Sequence, residues 1–233
     1  MLRSGHLADR NTYRSCVTQT FDRRVVPEDV ILLLRACQKR VAFHLGGGAA
    51  LAGIHLRHRL SKDADLFLHD RAAHRELVTA LPDVSAELGV QISILRDGGS
   101  FVRARATLAT GPLELDLIHD AVPDIEAAPM AIEGIVVESL TDLRANKLTC
   151  ILSRSEPRDL VDLMFLDRAG FPPEHDLPLA LRKDAGIDPG VLAWLLGSFP
   201  VEPLPAMLVT LTSDELREFR DGLRERFKRV AVP

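Results

Sequence analysis

The hydrophobic positions of this chain fall into two regimes. Up to about residue 138 short apolar runs alternate with helical stripes; from Ser139 the pattern is helical throughout. Pro27-Glu28-Asp29 predicts a helix start, with proline in the first turn and acids at its positive end. Val30, Leu33, Leu34 and Cys37 form its apolar stripe. Val41–Leu45 reads as a short strand running into Gly46-Gly47-Gly48, followed by a short helix over Ala49–Leu56 and a strand over Ala64–Leu68. A helix is predicted near 71–80. Ile92–Leu95 and Phe101–Leu108 read as a hairpin across Asp97-Gly98-Gly99, and a third strand follows at Leu113–Ile118. In that strand Leu113, Leu115 and Leu117 face one way, and Glu114, Asp116 and Ile118 the other. Pro123–Pro129 reads as a loop and Ile135–Val137 as a short strand. Ser139 is a helix cap with Asp142 in the first turn. Helices are expected over 140–153, 157–168, 176–184, 189–196 and 213–228.

The expected organisation is a polar arm over 1–25, an α/β core over 26–138 and a helical portion over 139–233. Composition adds little: 46% hydrophobic and 27% charged residues suit a globular chain, and aromatics are only 5%, so the core must be aliphatic. A net charge of −4 removes any global signature of a nucleic-acid binder and leaves local basic patches open. Three scattered cysteines without metal spacing suit a reducing cytoplasm. No apolar run is long enough to span a bilayer, and the N-terminus lacks a signal-peptide core.

The candidate chemistry centres on Gly47-Gly48 and Asp63-Ala64-Asp65. Residues two apart in a strand share a face, so both carboxylates project together. That pairing is costly unless a cation offsets it, and Mg²⁺ favours one or two carboxylates plus substrate phosphates. Glycines at a helix start could receive those phosphates. Asp116 lies mid-strand on the polar face. If its strand pairs beside that of Asp63 and Asp65, three carboxylates converge and can hold two Mg²⁺ (or Mn²⁺) ions. Such machinery performs nucleotidyl transfer: in-line attack on the α-phosphorus of an NTP, with pyrophosphate leaving. The bland alternative for each acid is an ordinary strand-end carboxylate. Among the histidines of this region, His55 and His58 have helical spacing but no third ligand at metal spacing, so zinc is disfavoured. Arg57, His58, Arg59 and Lys62 form a basic cluster that could meet an RNA backbone or simply be solvated. No Walker A, G-x-G-x-x-G or G-x-S-x-G motif occurs.

Gly47-Gly48-Ala49-Ala50-Leu51 and Arg59-Leu60-Ser61-Lys62-Asp63-Ala64-Asp65-Leu66-Phe67 resemble the first motif of the AbiEii/AbiGii nucleotidyltransferase-like toxins, of the DNA-polymerase-β-like superfamily. In that family it reads GGTAL, then R-x-S-x-D-L-D-L-F. Lys147-Leu148-Thr149-Cys150, Arg154 and Arg158-Asp159-Leu160-Val161-Asp162-Leu163 are similar to its later K-x-x-A…R…R-D-x-x-D-L helices. Ala49 and Ala64 depart from the pattern without removing an acid. The resemblance implies an α/β nucleotidyltransferase fold with a mixed sheet, flanking helices and a helical C-terminal portion. It implies that Gly47 and Gly48 approach the NTP phosphates and that Ser61 bonds a phosphate or orients Asp63. Asp63, Asp65 and Asp116 become metal ligands, Asp116 alternatively the general base, and Lys147 reaches the triphosphate. Asp159 and Asp162 either hold the lysine through ion pairs or contact the nucleotide. The implied activity is that of a toxin with an antitoxin partner, transferring a nucleotide to RNA, tRNA in particular. A small-molecule acceptor of the aminoglycoside type and a non-catalytic NTP-binding module are the rivals.

Overall fold

The computed structural model of the chain describes residues 19–126 and 130–231. Seven strands form one sheet: β1 (His44–Gly46), β2 (Asp63–Leu68), β3 (Gln91–Asp97), β4 (Phe101–Leu108), β5 (Gly111–His119), β6 (Met130–Ile132) and β7 (Ile135–Val137). Their order is β3-β4-β5-β2-β1-β7-β6. The β2–β5 and β1–β7 pairs are parallel and the others antiparallel. The mixed sheet is the one expected, with β6 added at its edge.

Alternation sorts the two faces. Ala64, Leu66 and Leu68 of β2 and Leu113, Leu115 and Leu117 of β5 are buried together on one side. There α3 (Arg71–Leu88) packs over both strands, and α1 (Glu28–Gln38) lies beside it against β7. The opposite face carries Asp63, Asp65 and Phe67 beside Glu114, Asp116 and Ile118. Helix α3 runs well beyond the predicted 71–80 and contains Pro82. Pro82 is exposed, so water can take the carbonyl that its missing N–H leaves free, while Leu77, Leu81 and Val84 continue the buried stripe.

The second half is helical as predicted: α4 (Leu140–Ser153), α5 (Pro157–Arg168), α6 (Leu177–Lys183), α7 (Pro189–Leu196) and α8 (Ser213–Ala231). Ser139 caps α4 by accepting from the Asp142 amide. Buried side chains of the two halves form one continuous core, from Phe21 to Phe227. The assigned arm falls mostly outside the described residues. Its last part is packed, however: Phe21 and Val25 are buried, and the Asp22 amide donates to the Gly53 carbonyl at 2.7 Å. An extended C-terminal segment returns to the first half. The Leu60 amide donates to the Ala206 carbonyl and the Leu208 amide to the His58 carbonyl, each at 2.8 Å. Among the described residues no helix is long and apolar enough to cross a membrane.

Candidate active site

Strand pairing brings the three carboxylates together. Asp65 of β2 is in register with Asp116 of β5 on one side and with Gly46 of β1 on the other. The chain turns at Gly47, at φ +59°, into α2 (Gly47–Ala50), which continues as a π-helical turn over Leu51–Leu56. A Cβ on Gly47 would lie 1.6 Å from Asp65 Oδ2, and one on Gly48 would lie 2.7 Å from Ser61 Oγ and from the Arg59 guanidinium. Gly47 is therefore needed so that the backbone can pass against Asp65, and Gly48 so that it can pass Ser61 and Arg59.

Each carboxylate has a different electrostatic setting. Burial opposes the charge of Asp63, but Arg158, Ser61 and Arg59 outweigh it and hold its carboxyl below the usual range. Arg158 donates to Asp63 Oδ2 at 2.6 Å and Ser61 Oγ to Oδ1 at 3.0 Å. Arg103 of β4 clasps Asp116 with two bonds of 2.7 Å. Asp65 accepts no hydrogen bond among the described residues. Burial first, then the neighbouring Asp63 and Asp116, push its pKa up to about 6, against the pull of Lys147 and Arg154.

Behind the acids lies a buried ion cluster. Arg59 grips Asp162 through bonds of 2.6 and 2.7 Å, and His58 Nε2 reaches the same carboxylate at 2.8 Å. Lys147 Nζ sits 2.8 Å from Asp162 Oδ2 and 3.0 Å from Asp159 Oδ1, while Arg154 holds Asp159 from the other side at 2.8 and 2.9 Å. His58, Arg59, Lys147, Asp159 and Asp162 are all buried. Burial works against the Lys147 charge, but the two aspartates outweigh it and keep the lysine protonated.

The structure thus groups Gly47, Gly48, Ser61, Asp63, Asp65 and Asp116 on the polar face of the central strands. It places Lys147, Asp159 and Asp162 in the layer beneath, with the aspartates bound to cations. Of the two roles open to Asp159 and Asp162, the geometry has them holding the lysine. The basic cluster read from sequence is corrected: His58 and Arg59 are buried on Asp162, and only Arg57 and Lys62 are exposed. Arg103 and Arg105 were not singled out from the sequence. Their signal was the alternation Phe101-x-Arg103-x-Arg105, which sets both arginines opposite Asp116 and Glu114 across the β4–β5 pair. A cleft of about 530 Å³ opens beside the acids, lined by Lys62, Asp63, Arg103, Arg105, Glu114 and Arg158, among others.

A profile described as "Nucleotidyl transferase AbiEii toxin, Type IV TA system" matches residues 31–232. The chain belongs to the AbiEii nucleotidyltransferase toxin family. The AbiEii match contains the glycine turn, all three carboxylates and the ion cluster. Among solved structures, JHP933 from Helicobacter pylori superposes with a TM-score of 0.55 at 21% identity, over 91% of this chain and 95% of that one. MenT4, a nucleotidyltransferase toxin of Mycobacterium tuberculosis, superposes with a TM-score of 0.52 at 16% identity, over 86% of this chain and 84% of that one. At these identities the superpositions establish a shared fold. No curated protein matches the chain.

Proposed function

We propose that this AbiEii protein moves a nucleoside monophosphate from an NTP to an RNA acceptor, tRNA being the favoured class. It would do so in the cytoplasm, under the control of a cognate antitoxin. The carrying observation is the convergence of Asp63, Asp65 and Asp116 against the Gly47 turn, beside a cleft that also presents Lys62, Arg103, Arg105 and Arg158.

The donor set fits Mg²⁺ or Mn²⁺. Three carboxylates on neighbouring strands are hard oxygen ligands, and Asp65, raised first by burial and then by Asp63 and Asp116, is a carboxylate whose charge a cation would stabilise. Bound there, the ion supplies Lewis-acid activation of the phosphoryl group and of the attacking hydroxyl. Gly47 and Gly48 let the backbone approach the phosphates, with Ser61 holding Asp63 in place. Arg103 donates to both oxygens of Asp116 and so fixes that carboxylate beside Asp65, in position to serve as the third ligand. Lys147 acts from beneath, its charge stabilising the ionised form of Asp65.

The cleft sets Lys62, Arg103, Arg105 and Arg158 among Asp63, Glu114 and Glu156, with the three arginines ion-paired, and it is exposed Lys62 and this arginine rim that would meet the phosphates of an RNA acceptor. The deciding experiment incubates purified protein with each α-phosphate-labelled NTP, Mg²⁺ and total bacterial RNA, beside an Asp63→Ala control. A labelled RNA lost in the control is the expected result, and it also names the nucleotide. Label retained by Asp63→Ala would overturn the carboxylate mechanism. Label on no RNA, with Mg-NTP binding confirmed, would overturn the RNA acceptor.

A further inference from the structure

At the far end of the same sheet face His44, His69 and Asp124 point at one another, with one ligand atom from each lying within 4.8 Å of the others. His44 opens β1, His69 directly follows β2, and Asp124 lies in the loop after β5. Antiparallel pairing of β1 with β2 sets His44 beside Phe67, one same-face step before His69. The group is four residues along β2 from Asp65, about 13 Å at strand rise, so it is separate from the carboxylate cluster.

Its hydrogen bonds are incomplete in an informative way. His69 Nδ1 lies 3.0 Å from the Asp120 carbonyl oxygen. A carbonyl only accepts, so Nδ1 carries the proton and donates it. The other ring nitrogen, Nε2, faces Asp124 Oδ1 at 3.2 Å. Asp124 Oδ2 is also 2.7 Å from His44 Nδ1. That nitrogen is buried and lies off any hydrogen-bonding line. Lys183 Nζ stands back at 3.8 Å from Asp124 and is engaged with Asp142 at 2.8 Å. Two imidazole nitrogens and a carboxylate thus converge on one space. A histidine whose other nitrogen donates to a backbone carbonyl is the usual arrangement behind a metal ligand.

We propose that His44, His69 and Asp124 bind a divalent transition-series cation, with Zn²⁺ as the ion to test. Two imidazoles and a carboxylate suit zinc and its neighbours rather than Mg²⁺. A shared ion would draw the donors to about 2.0–2.2 Å. The fourth position is left to water, because His69 is a third exposed. The ion would clasp the start of β1 to the end of β2 and to the 120–126 loop. That loop is tied in turn to α4, where Asp142 accepts from the Ile125 and Glu126 amides. Nothing in this assignment depends on the proposed transfer reaction.

The test is competition of chelator-stripped, full-length protein with a chromophoric zinc indicator. One zinc per chain is expected, with affinity lowered at least about 10-fold by His44→Ala, His69→Ala or Asp124→Asn. Asp65→Asn is expected to bind zinc as the wild type does. Co²⁺ should give visible absorption that disappears in His69→Ala. Should that variant fold poorly, His44→Gln serves instead: zinc should raise the Tm of the wild type and not of the variant. Absence of zinc uptake by the wild type would overturn the site. So would uptake unchanged in all three ligand variants, which would place the ion on other histidines. A His69 ring that nitrogen NMR finds doubly protonated at neutral pH, and indifferent to zinc, would overturn it as well.

Discussion

Gly47 and Asp65 cannot be altered independently, because the space a Cβ would need at one is filled by the carboxylate of the other. Gly89 provides the comparison. Its φ of +64° matches the +59° of Gly47, but nothing lies within 4 Å of where its Cβ would be. Gly89→Ala is therefore expected to cost only the left-handed backbone penalty, about 1–2 kcal/mol, and to leave nucleotide transfer intact. Gly47→Ala bears that penalty and must also push Asp65 aside. A displacement of about 1 Å at a reacting centre can cost roughly 100-fold in rate, so transfer should fall by at least that much. Thermal melts and transfer rates of the two variants, measured side by side, check this. Equal activities would show that the close approach is not needed. The sequence carried the acids and glycines plainly, because residue type and two-residue spacing encode a shared face. It did not carry the pairing of Asp63 with Arg158 or of Asp116 with Arg103, since those partners are set by which strands and helices meet.

Helices α4 and α5 are held to the start of β2 by charge as well as by apolar packing. Lys147 comes from α4, Asp159 and Asp162 from α5, and Arg59 from the segment leading into β2. Removing Asp162 leaves the buried Arg59 guanidinium and His58 without their carboxylate and Lys147 with Asp159 alone. Asp162→Ala should therefore lose about 3–5 kcal/mol of stability, read by urea denaturation. The same cluster fixes the acid limit of the fold. Arg59 and Lys147 overcome the burial that opposes Asp162 ionisation and hold its pKa well below 3.8. Asp159 is lowered as well, by Lys147 and Arg154 against burial. A depressed folded-state pKa gives stability that is present above the unfolded value and lost as pH falls through the folded one. The wild type should thus lose stability steeply below about pH 4, and Asp162→Asn less steeply, in acid titrations followed by circular dichroism. Periodicity disclosed nearly every element, including the two faces of β5. It missed β6, whose three residues are too few to show a period, and it stopped α3 short of Pro82, where an exposed proline leaves the buried stripe unbroken.

Over the whole molecule, the boundary near residue 138 divides strand from helix without dividing the core, which runs unbroken from Phe21 to Phe227. This could not be read from the alternation of patterns, because periodicity reports which face of an element is apolar and not what covers it. The His44–His69–Asp124 group was hidden for a related reason: its members are 25 and 55 positions apart and meet only through the β1–β2 pairing and the loop after β5. The pairing of residues 58–60 with 206–208 has a consequence in time. Arg59, which seats Asp162, bridges to Met207, so the ends of this contact are separated by most of the chain. A growing polypeptide completes its strands long before that partner has been made. Until residues 206–208 have left the ribosome, the segment feeding β2 lacks its clamp. The segment that leads into β2 therefore takes its last pairing only after the strands β1 to β7 have all been made.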